Sequence, residues 1–420
     1  MTRPPLSPLA PLSRPPFTPA RERGEKRGTS RRQFLRQSLG LGGALGAGGW
    51  MDLEALAAEA VDLHGAPDAH LWQGGERLGT LAFQAEPDDP VATPIADGLD
   101  ARLYTDLARL EPDRLITPVE EFFVRTGVPD RLDPSRPWSV EAGGLVRRPA
   151  TWTPAELAAR AEPLGVHLME CAGNGRWTRF GLISNAEWTG VPLWPLLDGL
   201  GVLPEAAAVL VEGFDDHSRP STNSTAGCGW IFPVDELRAG GAFLATAMNG
   251  RPLTPEHGHP LRLVVPGWYG CCCVKWVRRV ELVDGDRPAT SQMQEFALRT
   301  HQGEVHERAA DYQPATVDRA ALPVRVERWR VGSEIAYRIV GLDWGGDRGT
   351  GPLSIRFRPD APYEAVQFQP PSSGEWGLWF HPWKPEPGRY LIQLKADDPA
   401  VRARRLDAGL YLRGVWIEEI

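Results

Sequence analysis

Apolar and polar positions alternate in short runs through the last hundred residues of the chain. Residues 324–330, 334–340, 353–358, 389–394 and 410–417 each read as a strand with one buried face, and Gly/Pro turns part them. Such a series predicts an antiparallel β-sandwich over residues 316–420. Upstream the pattern is mixed. Residues 138–146 read as a strand and turn, and Thr153-Pro-Ala-Glu156 has a capping Thr, Pro at the first helical position and Glu at the third, which starts a helix. The strand that follows ends at Cys171. Apolar positions around Asp198 suit a helix packed on a sheet, while residues 208–213 and 261–265 read as buried strands. At Glu120-Glu-Phe-Phe-Val-Arg125 the chain turns apolar and strand-like. Before it, Pro87, Pro90, Pro94, Pro112 and Pro118 cut elements short, leaving an irregular wrap with a brief helix over residues 98–110. The expected class is α+β, a mixed α/β region over residues 61–315 followed by the sandwich.

Length and composition agree with two domains. A chain of 420 residues exceeds one ordinary core, and 45 glycines and 40 prolines favour short elements over long helices. The net charge of −8 with no evident basic face argues against a nucleic-acid partner. Residues 1–28 are too poor in apolar side chains to form a core and read as disordered. Ser30-Arg31-Arg32-Gln33-Phe34-Leu35-Arg36 then precedes a Gly/Ala-rich apolar stretch over residues 39–51, shorter than a membrane span. This reads as a twin-arginine export signal, cleaved near Ala55–Ala58, so residues 1–60 are leader and the expected destination is the periplasm or beyond.

The candidate chemistry centres on Cys171. Its sulfur ends an apolar run and meets Ala172, Gly173, Asn174 and Gly175, where backbone can turn sharply and approach a ligand. A thiolate there could bind a soft metal, and Arg176 could hold an oxyanion beside it. The five cysteines cannot all pair within one chain. Cys271, Cys272 and Cys273, if on a strand, point to alternate faces and do not converge on a metal; they read as small buried residues or one strained disulfide. Asp215, Asp216 and His217 follow a Val-rich strand and read as turn formers.

Glu170-Cys171-Ala-Gly-Asn-Gly-Arg176 resembles the cysteine motif of the sulfite oxidase family of molybdenum enzymes. Phe122-Phe-Val-Arg125 resembles the family segment that carries an active-site arginine. Met248 to Gly267, with Glu256-His257-Gly-His259-Pro and Arg262, then Val274-Lys275-Trp276, resembles its pterin-holding region. The likeness implies molybdenum held by a molybdopterin and by Cys171, with His257, Arg262 and Lys275 on the pterin and its phosphate. It implies Arg125 and Arg176 beside the substrate, an immunoglobulin-like C-terminal domain that mediates dimerisation in relatives, and oxidation of sulfite or a related sulfur oxyanion. With no Cys-x-x-Cys-His haem site in the chain, electrons are expected to leave to a separate acceptor, a c-type cytochrome. The sequence departs from the family in four places. Thr126 and Gly127 replace Asn and His, the segment from Cys171 to Trp188 is short, Phe296 stands for an active-site tyrosine, and His381 aligns with the arginine of the second domain. These departures keep two alternatives open: a reductase of sulfoxides or another oxo-substrate, and a non-catalytic cofactor-binding subunit.

Overall fold

The computed structural model describes residues 75–84, 101–133, 135–215, 227–346, 351–367 and 376–419. The expected export signal, its apolar stretch, Asp216 and His217 lie outside the described residues. Two five-stranded sheets build the first half. One runs Ala150–Trp152, Val140–Gly144, Val277–Val283, Ala208–Gly213, Gly229–Pro233 from edge to edge, antiparallel except where Val277–Val283 lies parallel to Val140–Gly144. The other runs Arg262–Val264, Phe243–Met248, Ile183–Pro192, Glu162–Glu170, with the two-residue strand Arg251–Pro252 beside Phe243–Met248. Short helices fill the connections. Pro154–Ala159 begins with the expected capping box, in which the Thr153 hydroxyl accepts from Glu156 N at 3.2 Å and Thr153 N donates to the Glu156 carboxylate at 2.8 Å. A helix over Leu193–Asp198 buries Leu193, Leu196 and Leu197 against the sheet, as the apolar spacing around Asp198 requires.

The C-terminal region is two antiparallel four-stranded sheets. Glu76–Leu81, Ala320–Val331, Glu334–Trp344 and Gly377–Trp383 form one; Glu364–Ala365, Leu353–Arg356, Gly388–Ala396 and Arg413–Ile417 form the other. Four of the five strands expected there are present, and the fifth begins only at Arg413, because the turn before it follows a short helix over Arg404–Asp407. Glu76–Leu81 is an addition, since part of the supposed wrap is an edge strand of the sandwich. The polar face of the long strands is also not a wet one. Arg325, Glu327 and Arg338 are buried together: Arg325 Nε donates to Glu327 Oε1 at 2.7 Å and Arg338 Nε to Glu327 Oε2 at 2.8 Å. Arg325 also donates to Ala108 O and Leu110 O, so residues 108–110 cover that face. Three charges are tolerated here because each is met by an opposite charge and by fixed acceptors.

Two expected elements are different. The helix over 98–110 reduces, among the described residues, to one 3-10 turn at Leu107–Arg109, capped by Asp106 accepting from Ala108 N at 3.1 Å. The run at Glu120–Arg125 forms no ladder, only a 3-10 turn at Val119–Glu121 and an isolated bridge between Val124 and Leu103. Phe122, Phe123 and Val124 are all buried, and three consecutive inward side chains cannot sit on a strand with one covered face.

Candidate functional site

Cys171 follows directly on the strand Glu162–Glu170, whose last residues are buried, and Cys171 N donates to Leu182 O at 2.9 Å. The chain then reverses: Asn174 N donates to Cys171 O at 2.9 Å, and Gly173 N points at the sulfur, 3.3 Å away. The turn passes through Arg179 and Phe180 at φ 47° and 60°, a left-handed conformation that costs side-chain-bearing residues energy and is held by the surroundings. Gly181, next in line, has no room for a side chain, because a Cβ there would lie 2.5 Å from Thr105 O.

One cavity, with about 870 Å³ of empty space partly open to solvent, lies over this turn. Arg125, Cys171, His257, Arg262, Lys275 and Phe296 all line it. They come from separate parts of the first half: the bridge segment, the turn after Glu162–Glu170, the loop before Arg262–Val264 and the first residue of that strand, the loop before Val277–Val283, and the helix Ser291–Phe296. Gly258, at φ 106°, lets the His257 loop press on two of the cations, since a Cβ there would be 3.0 Å from Arg262 Cβ and 3.2 Å from Lys275 Cβ.

The cations are held by backbone carbonyls. Arg262 donates to His257 O and Cys273 O, both at 3.2 Å, and to Met169 Sδ at 3.0 Å, while its buried Nε meets no acceptor among the described residues. Burial lowers it to about 10. Lys275 Nζ donates to Thr126 O at 2.7 Å and Glu256 O at 3.0 Å, and stands 4.4 Å from the Trp276 ring. Burial first, and then the charge of Arg262, lowers it to about 7. An ammonium has three donors, so one remains for a ligand. The buried Arg262 Nε and the Lys275 ammonium suit an anionic group such as a phosphate.

His257 lines the cavity but uses both ring nitrogens within the protein, one with the Thr254 hydroxyl at 2.8 Å and the other with Phe122 O at 3.1 Å. Burial holds it neutral, at about 4. Burial also raises the Cys171 thiol, and Arg125 partly offsets the shift. Among the described residues no three His, Cys, Asp or Glu side chains are grouped as a metal cage, so a metal at Cys171 would take its other ligands from a cofactor. Fixed cations and the Cys171 thiol on the wall of one cavity fit a molybdenum–pterin group.

Two candidates lie elsewhere. Arg176 donates to Leu412 O at 2.8 Å and does not line the cavity, because its guanidinium turns to the C-terminal segment. His381 sits in the sandwich strand Gly377–Trp383, buried against Phe357, with Glu364 at 3.3 Å. Burial lowers it, against the pull of Glu364. The three consecutive cysteines are not on a strand: Gly270–Cys272 is a 3-10 turn, all five cysteines are free thiols, and Cys271 and Cys273 border the cavity with Cys228 and Asp215. Three further residues carried no sequence signal. Tyr104 lies within the electrostatic reach of Arg125 and Cys171, the Arg299 guanidinium lies 3.7 Å from where a Gly173 Cβ would stand, and Arg405 donates to Ala172 O at 2.7 Å.

Residues 125–291 match the family described as the oxidoreductase molybdopterin binding domain. The span includes Arg125, Cys171, His257, Arg262 and Lys275, and ends just before Phe296. A nitrate reductase [NAD(P)H] of Hordeum vulgare is 36% identical over 198 residues, covering 41% of this chain and 21% of its own length. An inducible nitrate reductase [NADH] of Glycine max is 33% identical over 194 residues, again 41% and 21%. The chain thus spans about a fifth of the length of these curated relatives. The crystal structure of the sulfane dehydrogenase SoxCD from Paracoccus pantotrophus superposes with a TM-score of 0.57 at 23% identity, over 77% of this chain and 86% of that one. The mixed α/β domain with a β-rich C-terminal region is therefore a fold shared with a solved enzyme.

Proposed function

We propose, from the molybdopterin-binding oxidoreductase domain that the chain carries over residues 125–291, that it oxidises a small sulfur oxyanion, sulfite first, and passes the electrons to a separate acceptor. The observation that carries this reading is the convergence of Cys171, Arg125, Arg262 and Lys275 on one cavity inside that domain. When bound, a molybdenum–pterin group supplies two-electron redox chemistry and oxygen-atom transfer, for which no side chain here is suited. The balance is SO₃²⁻ + H₂O → SO₄²⁻ + 2 H⁺ + 2 e⁻.

The protein's own contributions follow from the site. Cys171, as a thiolate, would be the soft ligand that holds the metal, and the nearby Arg125 charge favours that form. Arg262 and Lys275 would hold the anionic end of the cofactor, and His257, neutral and tied to Phe122 O, fixes the loop whose carbonyl carries Arg262. Arg125 then neutralises the incoming oxyanion beside the sulfur ligand. The removal of Arg176 and His381 from the cavity leaves Arg125 with more of that task. A sulfur substrate is supported by the likeness of fold to an enzyme named for its action on sulfane sulfur. The electron acceptor is a c-type cytochrome, and the twin-arginine leader delivers the loaded protein to the periplasm, where the C-terminal sandwich serves dimerisation.

The nitrate reductase matches favour a second reading, reduction of a small oxyanion, and one experiment separates the two. Protein from a molybdenum-sufficient host is analysed for metal, then assayed for sulfite- or thiosulfate-dependent reduction of cytochrome c and for nitrate- or sulfoxide-dependent oxidation of a reduced dye. Sulfite-dependent reduction with about one molybdenum per chain is expected. Full molybdenum with turnover only in the reductive direction overturns the sulfite reading.

A further inference from the structure

Cys171 is embedded in a turn containing Gly173 and Gly175, a segment whose backbone has little stiffness of its own. Its sulfur nevertheless needs a fixed place, because a ligand displaced by an ångström is a poor ligand. Besides the bonds within the strand and turn, the residues on both sides of Cys171 are also held from the C-terminal segment. Glu170, immediately before the cysteine, is 1% exposed. Its carboxylate accepts from Trp344 Nε1 at 2.8 Å and lies 3.5 Å from Arg405 Nη1. Ala172, immediately after, offers its carbonyl to Arg405 Nη2 at 2.7 Å. The same nitrogen donates to Arg299 O at 2.8 Å, at the turn that follows Phe296.

We propose that Arg405 is a positioning residue for Cys171: one guanidinium from the C-terminal segment grips the residues on both sides of the cysteine and ties them to the Arg299 turn. The grip is itself anchored. Arg405 lies 4.6 Å over the Tyr269 ring, and its neighbour Arg404 is forked onto Asp318 at 2.7 and 2.8 Å. Arginine suits the task because its planar fork serves several acceptors at once, whereas a lysine ammonium is a point charge. Glu170 shows the cost of the arrangement, as burial raises its carboxyl even with Arg405, Trp344 and Asn174 beside it. Arg405 also gives the C-terminal segment a part in the site that does not depend on touching substrate. The consequence for a metal rests on Cys171 being its ligand; the grip on the turn does not.

Alkylation of the full chain, produced without molybdenum cofactor, tests this. Rates of iodoacetamide labelling are followed cysteine by cysteine through peptide mass spectrometry in the native protein, Arg405→Met and Arg405→Lys. Cys228 and Cys273 border the same cavity without contact to Arg405 and serve as internal references. Loss of the grip in Arg405→Met raises the Cys171 rate about tenfold, equivalent to about 1.4 kcal/mol in opening the turn, with the references within about twofold. Arg405→Lys, keeping charge and one bond, falls between, and it carries the comparison if Arg405→Met does not fold. An unchanged Cys171 rate, or an equal rise at all three cysteines, overturns the proposal, the second because it shows general loosening. In the loaded enzyme, Arg405→Lys changes the molybdenum paramagnetic signal if Cys171 is a ligand. A faster Cys171 with an unaltered signal supports the grip and overturns the ligand assignment instead.

Discussion

Lys275 should make the cofactor-free protein gain stability as the pH rises above neutral. In the unfolded chain its ordinary value is 10.5; in the folded protein burial and Arg262 bring it to about 7. Above pH 10.5 both states are neutral at this residue and it imposes no penalty. As the pH falls, the unfolded chain takes up the proton first, so folding is disfavoured progressively until about pH 7, below which the penalty is complete. One decade of proton affinity is worth about 1.36 kcal/mol, so the penalty is about 4 kcal/mol at pH 7 and about 2 kcal/mol at pH 9. Lys275 borders the cavity, and water there trims both figures. Lys275→Met removes the penalty but strands Thr126 O and Glu256 O, which costs roughly 1–3 kcal/mol apiece and sets the offset between the two proteins. The slope is free of that offset. Urea unfolding of both proteins at pH 7, 8 and 9 should show the native protein gaining on the variant by about 2 kcal/mol across the range. A difference that stays flat within about 0.5 kcal/mol would refute the half-buried, proton-poor lysine. The same reasoning makes an anion bound beside Lys275 bring a proton with it, because its charge restores the ammonium.

Cys171→Ser is expected to fold as the native chain does, with a closely similar melting curve, and to lose turnover, because a hydroxyl is a poor soft-metal ligand; an unaltered molybdenum spectrum in that variant would sink the ligand assignment. Arg262→Met should weaken retention of the cofactor about ten- to a hundredfold, the worth of one charge-assisted contact, as read by molybdenum content after dialysis. Arg262→Met with full metal content would show that the cofactor's anionic end lies elsewhere. Phe296→Tyr, on the cavity wall, should lower the apparent KM for sulfite, whereas His381→Arg, in the sandwich, should leave it unchanged. The opposite ranking in steady-state assays would mean that the cavity is not where substrate binds.

Much of the fold was legible because local signals decided it. The capping box at Thr153 and Glu156 starts a helix by itself, and the strands of the sandwich alternate as half-buried strands do. Where tertiary contacts outweigh pattern, the sequence misled. The Phe122–Val124 run looks like a strand, yet it has neighbours on several sides and makes a single bridge. Arg325, Glu327 and Arg338 look like a solvated face, yet residues 108–110 cover them and the charges settle on one another. Gly377–Trp383 hid as a cluster of aromatic residues, because both of its faces are largely buried and the alternation is lost.

At the site, the motifs told which segments converge but not which way each side chain points. Cys171, Arg262 and Lys275 are constrained by their own turn or strand end, and they do meet in the cavity. Arg176 follows the glycines that Cys171 precedes, but those glycines let the chain turn it away, and Leu412 O offers its guanidinium an acceptor that no local pattern announces. Arg405 shows the converse. It lies 234 residues beyond Cys171, in a stretch without motif, yet it donates to the peptide carbonyl of Ala172 and pairs in charge with the carboxylate of Glu170. A carbonyl is present at every residue, so an arginine that recognises one leaves no spacing to read. Positioning by backbone acceptors is therefore invisible in the sequence, although it fixes the Arg262 and Lys275 side chains as well. The electrostatics point the same way. Carbonyl acceptors hold these cations without cancelling their full charge, whereas the carboxylates of the sandwich cancel the charges of Arg325 and Arg338. That difference leaves Arg262 and Lys275 with charge to offer an anionic cofactor, on a wall that also carries Asp215, Glu256 and Glu295.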